Sequence, residues 1–159
     1  MPNRIFTRRG FNTVALSLAA LVTASTKAFA QTINRFSLSS DGHALKGFDT
    51  TAYLQNGAPQ DGTDAATVEW KGATWRFATQ SDADLFRAKP DAYAPQFGGY
   101  CTRAMSIKRE VPGDPEVWRL HNGKLYVFFA SHGGTLFDGQ EDEMIALAQA
   151  HWDTLSFIE

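Results

Sequence analysis

Cys101 is the one cysteine of this 159-residue chain, and it follows directly on Gly98-Gly99-Tyr100. Paired glycines allow a partner to approach the backbone closely. Residues 100–107 have helical character, which sets Cys101 near a helix N-terminus. Unpaired N–H groups and the helix dipole there favour the thiolate, the form that attacks electrophiles and binds soft metals. Arg103, Lys108 and Arg109 follow, and any that approaches the sulfur adds to that effect. The same thiol also reads as a small buried hydrophobe. An exchange or peroxidatic role requires a resolving thiol from another molecule, because this chain holds no second one.

The four histidines, His43, His121, His132 and His151, make no His-x-x-x-His or His-Glu-x-x-His pattern. None stands at short spacing to Cys101, so a shared metal site would have to be assembled in space. His121 sits before the Asn122-Gly123 turn, and His132 lies in a glycine-flanked loop. Asp49 reads either as a helix N-cap or as a polar member of a site. Gly98-Gly99 has no Lys-Ser/Thr after it and makes no phosphate loop. No Ser-His-Asp arrangement is evident. Tyr93, Tyr100, Tyr126 and the four tryptophans can line an aromatic pocket or pack a core.

The elements that must position these residues are strands and short helices. Residues 31–45 are a polar arm with a short strand near 35–38. Asp49 caps a short helix over 50–54, ended by Asn56-Gly57-Ala58-Pro59. Residues 67–70 and 73–78 form a hairpin around Lys71-Gly72. A two-residue loop puts Val68, Trp70, Ala73, Trp75 and Phe77 on one face. Ser81 is expected to cap the next helix, with Leu85 and Phe86 inward, and Lys89-Pro90 stops it. Residues 90–93 add a helical turn. Pro112-Gly113-Asp114-Pro115 reads as a turn. Residues 117–121 and 124–129 form a second hairpin, whose Asn122-Gly123 suits a type I′ turn. Its register places Trp118, Leu120, Leu125 and Val127 together. Residues 141–155 are an amphipathic helix with Met144, Leu147, Ala148 and Leu155 on its apolar stripe. The pattern predicts a small single α+β domain: antiparallel β-hairpins packed by short helices and closed by a C-terminal amphipathic helix.

Ahead of this lies a leader. Thr7-Arg8-Arg9-Gly10-Phe11-Asn12 precedes an apolar stretch from Val14 to about Thr26 and an Ala28-Phe29-Ala30 cleavage site. These are the parts of a twin-arginine secretory signal. The apolar stretch is about half the roughly 20 residues a membrane-spanning helix needs. Residues 1–30 are thus expected to be removed by signal peptidase after passage through the twin-arginine translocase. That leaves a protein without a membrane anchor in the periplasm. Loss of Arg4, Arg8, Arg9 and Lys27 takes Lys plus Arg from 15 to 11 against 17 acids, a net charge of −6. An acidic domain without a basic stripe argues against nucleic acid and anionic lipid surfaces as partners.

Residues 46–159 resemble the YHS-domain family, in its small secreted bacterial branch. The likeness rests on Lys46-Gly47-Phe48-Asp49 with Ala52-Tyr53, and on Trp70-Lys71-Gly72-Ala73-Thr74-Trp75-Arg76-Phe77. It continues through the run from Lys89-Pro90-Asp91 to Gln96-Phe97-Gly98-Gly99-Tyr100-Cys101. Asp114-Pro115, Trp118 and Asn122-Gly123-Lys124-Leu125-Tyr126 complete it. Cysteine-bearing relatives carry a Phe-Cys-Ser type segment where this chain has Phe77-Ala78-Thr79. The chain also has Phe128-Phe129 where relatives place an asparagine. The resemblance implies a binding module for a transition-metal ion or a small ligand near Cys101, with Gly98, Gly99, Tyr100 and Asp49 contributing. Two alternatives stand beside it: a thiol-dependent redox protein using Cys101, and a non-catalytic interaction domain.

Overall fold

The structure is a computed structural model and describes residues 32–158. The expected leader therefore lies outside the described residues. In chain order the elements are β1 (Thr32–Asn34), α1 (Thr50–Asn56), β2 (Thr63–Trp70), β3 (Ala73–Phe77), α2 (Gln80–Ala88), α3 (Pro90–Tyr93), α4 (Thr102–Ser106), β4 (Asp114–His121), β5 (Lys124–Phe128), α5 (Ser131–Phe137), α6 (Glu141–Trp152) and β6 (Ser156–Ile158). The strands pair two by two: β2 with β3 and β4 with β5, both antiparallel, and β1 with β6 in parallel. Helices pack over the two hairpins, so the fold is the small single α+β domain the pattern predicts. No helix among the described residues is long and apolar enough to cross a membrane.

Lys71 and Gly72 both take positive φ, 47° and 76°, as a two-residue hairpin turn demands. The register pairs Val68 with Trp75 and Trp70 with Ala73. Ala66, Val68, Ala73, Trp75 and Phe77 thus share a buried face. Phe86 of α2 stacks on Trp75 with ring centroids 5.0 Å apart, and Phe36 meets the same indole edge-on at 4.9 Å.

The cap of α2 is Thr79, not the expected Ser81. Its hydroxyl accepts from the Asp82 N–H at 3.2 Å, starting the helix at Gln80. This frame turns Ala83 and Phe86, three residues apart, into the core. Leu85 is left 39% exposed instead of inward.

The second hairpin turns through Asn122 (φ 50°) and Gly123 (φ 71°) and pairs Trp118 with Val127 and Leu120 with Leu125. Strand β5 is buried on both faces. Leu125 and Val127 pack with Leu45 and Tyr53, while Tyr126 and Phe128 pack with Phe97, Met105 and Phe137. Leu120, on the outer strand beside the turn, stays out of either cluster at 41% exposure, contrary to expectation.

Three further expectations are corrected. The N-terminal strand lies at Thr32–Asn34, three residues before the predicted one, where it pairs in parallel with Ser156–Ile158. Residues 112–115 are extended rather than a turn: the Cys101 N–H donates to the Val111 carbonyl at 2.8 Å, and the Gly113 N–H donates to that of Gly99 at 3.0 Å. Helix α6 stops at Trp152 and buries Met144 and Ala148, while Leu147 points outward.

Candidate functional site

A short 3-10 helix, Gln96–Gly99, leads into the extended residues Tyr100 and Cys101, and this stretch is gripped from two sides. On one side run residues 111–113. On the other, the Ser37 N–H donates to the Gly98 carbonyl at 2.8 Å. Gly98 has φ +61°, and a Cβ there would stand 2.0 Å from the Arg35 carbonyl oxygen. No other residue fits that crossing. The paired glycines thus serve backbone packing around the cysteine.

Cys101 then caps α4. Its sulfur accepts from the Ala104 N–H at 3.4 Å, and the residue is only 4% exposed. It lies at the floor of a trough of about 300 Å³. Ile107, Val111, Phe129 and Leu136 make apolar walls, and Arg103 and His132 are its polar members. Ile107 and Phe129 are large apolar side chains left 49% and 64% exposed at this site.

His132, expected in a glycine-flanked loop, belongs to helix α5. Gly133 and Gly134 do not break this helix but let it lie close. A Cβ on Gly133 would come 3.3 Å from the Phe128 ring, and one on Gly134 would come 3.1 Å from the Arg119 guanidinium. Arg119 in turn binds Asp138 through two nitrogens, at 2.7 and 2.9 Å, which ties β4 to the end of α5.

The other predicted site residues are placed elsewhere. Asp49 is buried and accepts three hydrogen bonds: from the Thr51 N–H at 2.8 Å, the Thr51 hydroxyl at 2.7 Å and the Ala78 N–H at 2.9 Å. It caps α1 and fastens it to the end of β3, and it does not line the Cys101 trough. Tyr100 adjoins Cys101 in sequence but sends its hydroxyl to the Asn34 carbonyl at 3.0 Å. Burial, and then the nearby Glu110, push that phenol above its ordinary pKa. Gly98 borders a separate cavity of about 160 Å³, where Lys71 pairs with Asp91 at 3.2 Å and lies over the Trp70 ring.

Three histidines are engaged by carboxylates. His43 meets Asp41 at 2.9 Å, His121 meets Asp142 at 3.0 Å, and His151 is in close contact with Glu110. Among the described residues no group of three His, Cys, Asp or Glu gathers to hold a metal ion. Protein metal centres need three or four such ligands. Cys101 and His132 alone do not supply that set, so the residues present do not fit a resident metal.

Sequence reasoning missed the trough and the place of Arg103 in it. The exposed Phe129 at the end of a hairpin was the available signal, but the wall opposite depends on how α5 lies. Comparisons of the chain with protein-family models, curated proteins and solved structures found no match.

Proposed function

We propose that the protein is an exported binding module, akin to the YHS-domain family, that takes a small apolar ligand in the trough above Cys101. One observation carries this reading: a concave site of about 300 Å³ with four large apolar side chains in its walls and, besides the Cys101 thiol, only two charged or titratable side chains, Arg103 and His132. Ligand sites have this make-up, mostly apolar with a few polar groups that orient the guest. The volume lies at the lower end of their usual range of roughly 300–1,000 Å³. The twin-arginine pattern at residues 7–30 supports a periplasmic setting for this binding. The missing third metal ligand favours a small organic ligand over a metal ion.

The test uses the neutral fluorophore N-phenyl-1-naphthylamine and the chain's single thiol. Binding in the trough raises the dye's fluorescence at one site per chain and slows alkylation of Cys101. Phe129→Asp places a charge in the apolar wall and weakens dye binding about tenfold or more. Unchanged alkylation with dye bound, or equal binding by the variant, would overturn the reading.

A second reading is thiol chemistry. It is favoured by the capping position of Cys101, with Arg103 and His132 along the same trough. It requires Cys101 to react faster in the folded protein than in the unfolded chain at one pH. A slower reaction in the folded protein leaves a shielded thiol.

A further inference from the structure

Beside the Cys101 trough lies a second pocket of about 140 Å³, lined by Ser106, Gln140, Glu143, Met144 and Leu147. Arg103 and Leu136 line both, so the two are neighbours across these side chains. Of the six large apolar side chains exposed among the described residues, three border this pair: Ile107, Phe129 and Leu147. The exposed apolar surface is thus gathered along one path rather than scattered.

At the junction stands a half-buried guanidinium. Arg103 donates from Nη1 to the Ser106 hydroxyl at 3.1 Å, and that hydroxyl donates to the Arg103 carbonyl at 2.8 Å. Ser106 therefore holds the arginine in place. Among the described residues Arg103 pairs with no carboxylate, whereas Arg76, Arg87 and Arg119 each have one. A partly desolvated guanidinium with unused forked donors matches a carboxylate. Glu143 also lines the second pocket but is exposed, where water and salt screen its repulsion of an anionic head.

From this juxtaposition we infer that the ligand is a free single-chain amphiphile with a carboxylate head. Its alkyl tail lies in the trough over Cys101, and its head is bound by Arg103 with Gln140 in reach of the same pocket. This deepens the small-ligand reading above and rests on it.

The experiment compares decanoate, decanol and decyltrimethylammonium, which share one chain and differ in head charge. Each is titrated below its micelle-forming concentration, by calorimetry and by protection of Cys101 from alkylation. Decanoate is expected to bind roughly tenfold tighter than decanol, as a charge-assisted hydrogen bond gives, with the ammonium weakest. Arg103→Gln removes the decanoate advantage, so that decanoate and decanol bind the variant equally. Arg103→Lys keeps part of it. Added salt narrows the decanoate–decanol gap in the native protein. Equal binding of decanoate and decanol, or a preference that survives Arg103→Gln, overturns the head-group assignment while the apolar trough stands. If no chain shields Cys101 and the naphthylamine dye also fails to bind, the trough reading falls with it. Sedimentation with phosphatidylglycerol vesicles, without decanoate binding, would assign the surface to a membrane and overturn the proposal.

Discussion

Asp49 lies one residue ahead of α1, where the sequence allowed both a cap and a site role. Three donors converge on its buried carboxylate, two from Thr51 and one from Ala78. Removing the acceptor loses a helix cap and strands buried donors. Asp49→Ala should therefore destabilise the fold by about 2–4 kcal/mol, read from urea unfolding. Dye binding at the trough should be unchanged in the variant while it remains folded, since Asp49 does not line that trough. A loss of binding without loss of stability would return Asp49 to the site. Cys101 shows the opposite balance. Its capping bond is local, yet its surroundings come from residues far along the chain, Phe129 and Leu136 among them.

Each hairpin carries its alternation of apolar residues onto a packed face, but the two strands of a pair are not equally loaded. In the first hairpin, Trp75 is enclosed by Phe36, Trp70 and Phe86. Trp75→Ala should cost about 3–5 kcal/mol, as aromatic truncations in a core do. In the second hairpin, β5 bears the core on both faces and β4 lies outside. Leu120→Ala should change stability by about 0.5 kcal/mol or less, despite its place in the apolar register. Thermal melts of the two variants check the contrast, and a large loss at Leu120 would mean that another surface covers it. The helices obey a similar logic of frame. Starting α2 at Gln80 rather than two residues later decides that Ala83 and Phe86, not Leu85, face the hairpin.

Across the whole molecule, burial of tyrosines shapes the response to base. Tyr53, Tyr100 and Tyr126 all have pKa values raised above the ordinary value, in each case chiefly by burial. Nearby carboxylates add to it: Asp114 and then Asp49 at Tyr53, Glu110 at Tyr100 and Asp142 at Tyr126. A phenol whose folded pKa exceeds its unfolded value of about 10 binds its proton more tightly in the native state. Its contribution to stability is complete below pH about 10 and is lost progressively as pH rises through the folded value. Tyr53 also donates to the Pro115 carbonyl at 2.9 Å, linking α1 to β4. Tyr53→Phe should lose about 1–2 kcal/mol at neutral pH and show a shallower decline above pH about 10. Denaturant midpoints measured from neutral to alkaline pH test both signs. An unchanged alkaline slope would place the loss at other groups.

Local order was legible in the residues themselves. Lys71-Gly72 and Asn122-Gly123 set two-residue turns because positive φ is available there, and the alternating strands follow from the turns. Asp49 before Thr50 and Thr51 signals a cap, and the acids at 141–143 signal the start of α6, because both satisfy free N–H groups or the helix dipole. The site was legible only at its chemical centre, Cys101. Gly133-Gly134 reads as a loop because glycine lowers helix propensity, whereas close packing against Phe128 and Arg119 favours small residues there. That packing sets α5 beside α4 and thereby makes the trough. The amino-acid sequence by itself determined the two hairpin turns, their registers and the Asp49 cap of α1, which depend on neighbours a few residues apart. Tertiary structure alone decided which apolar residues stay exposed and where Arg103 stands, because those depend on contacts between elements distant in the chain.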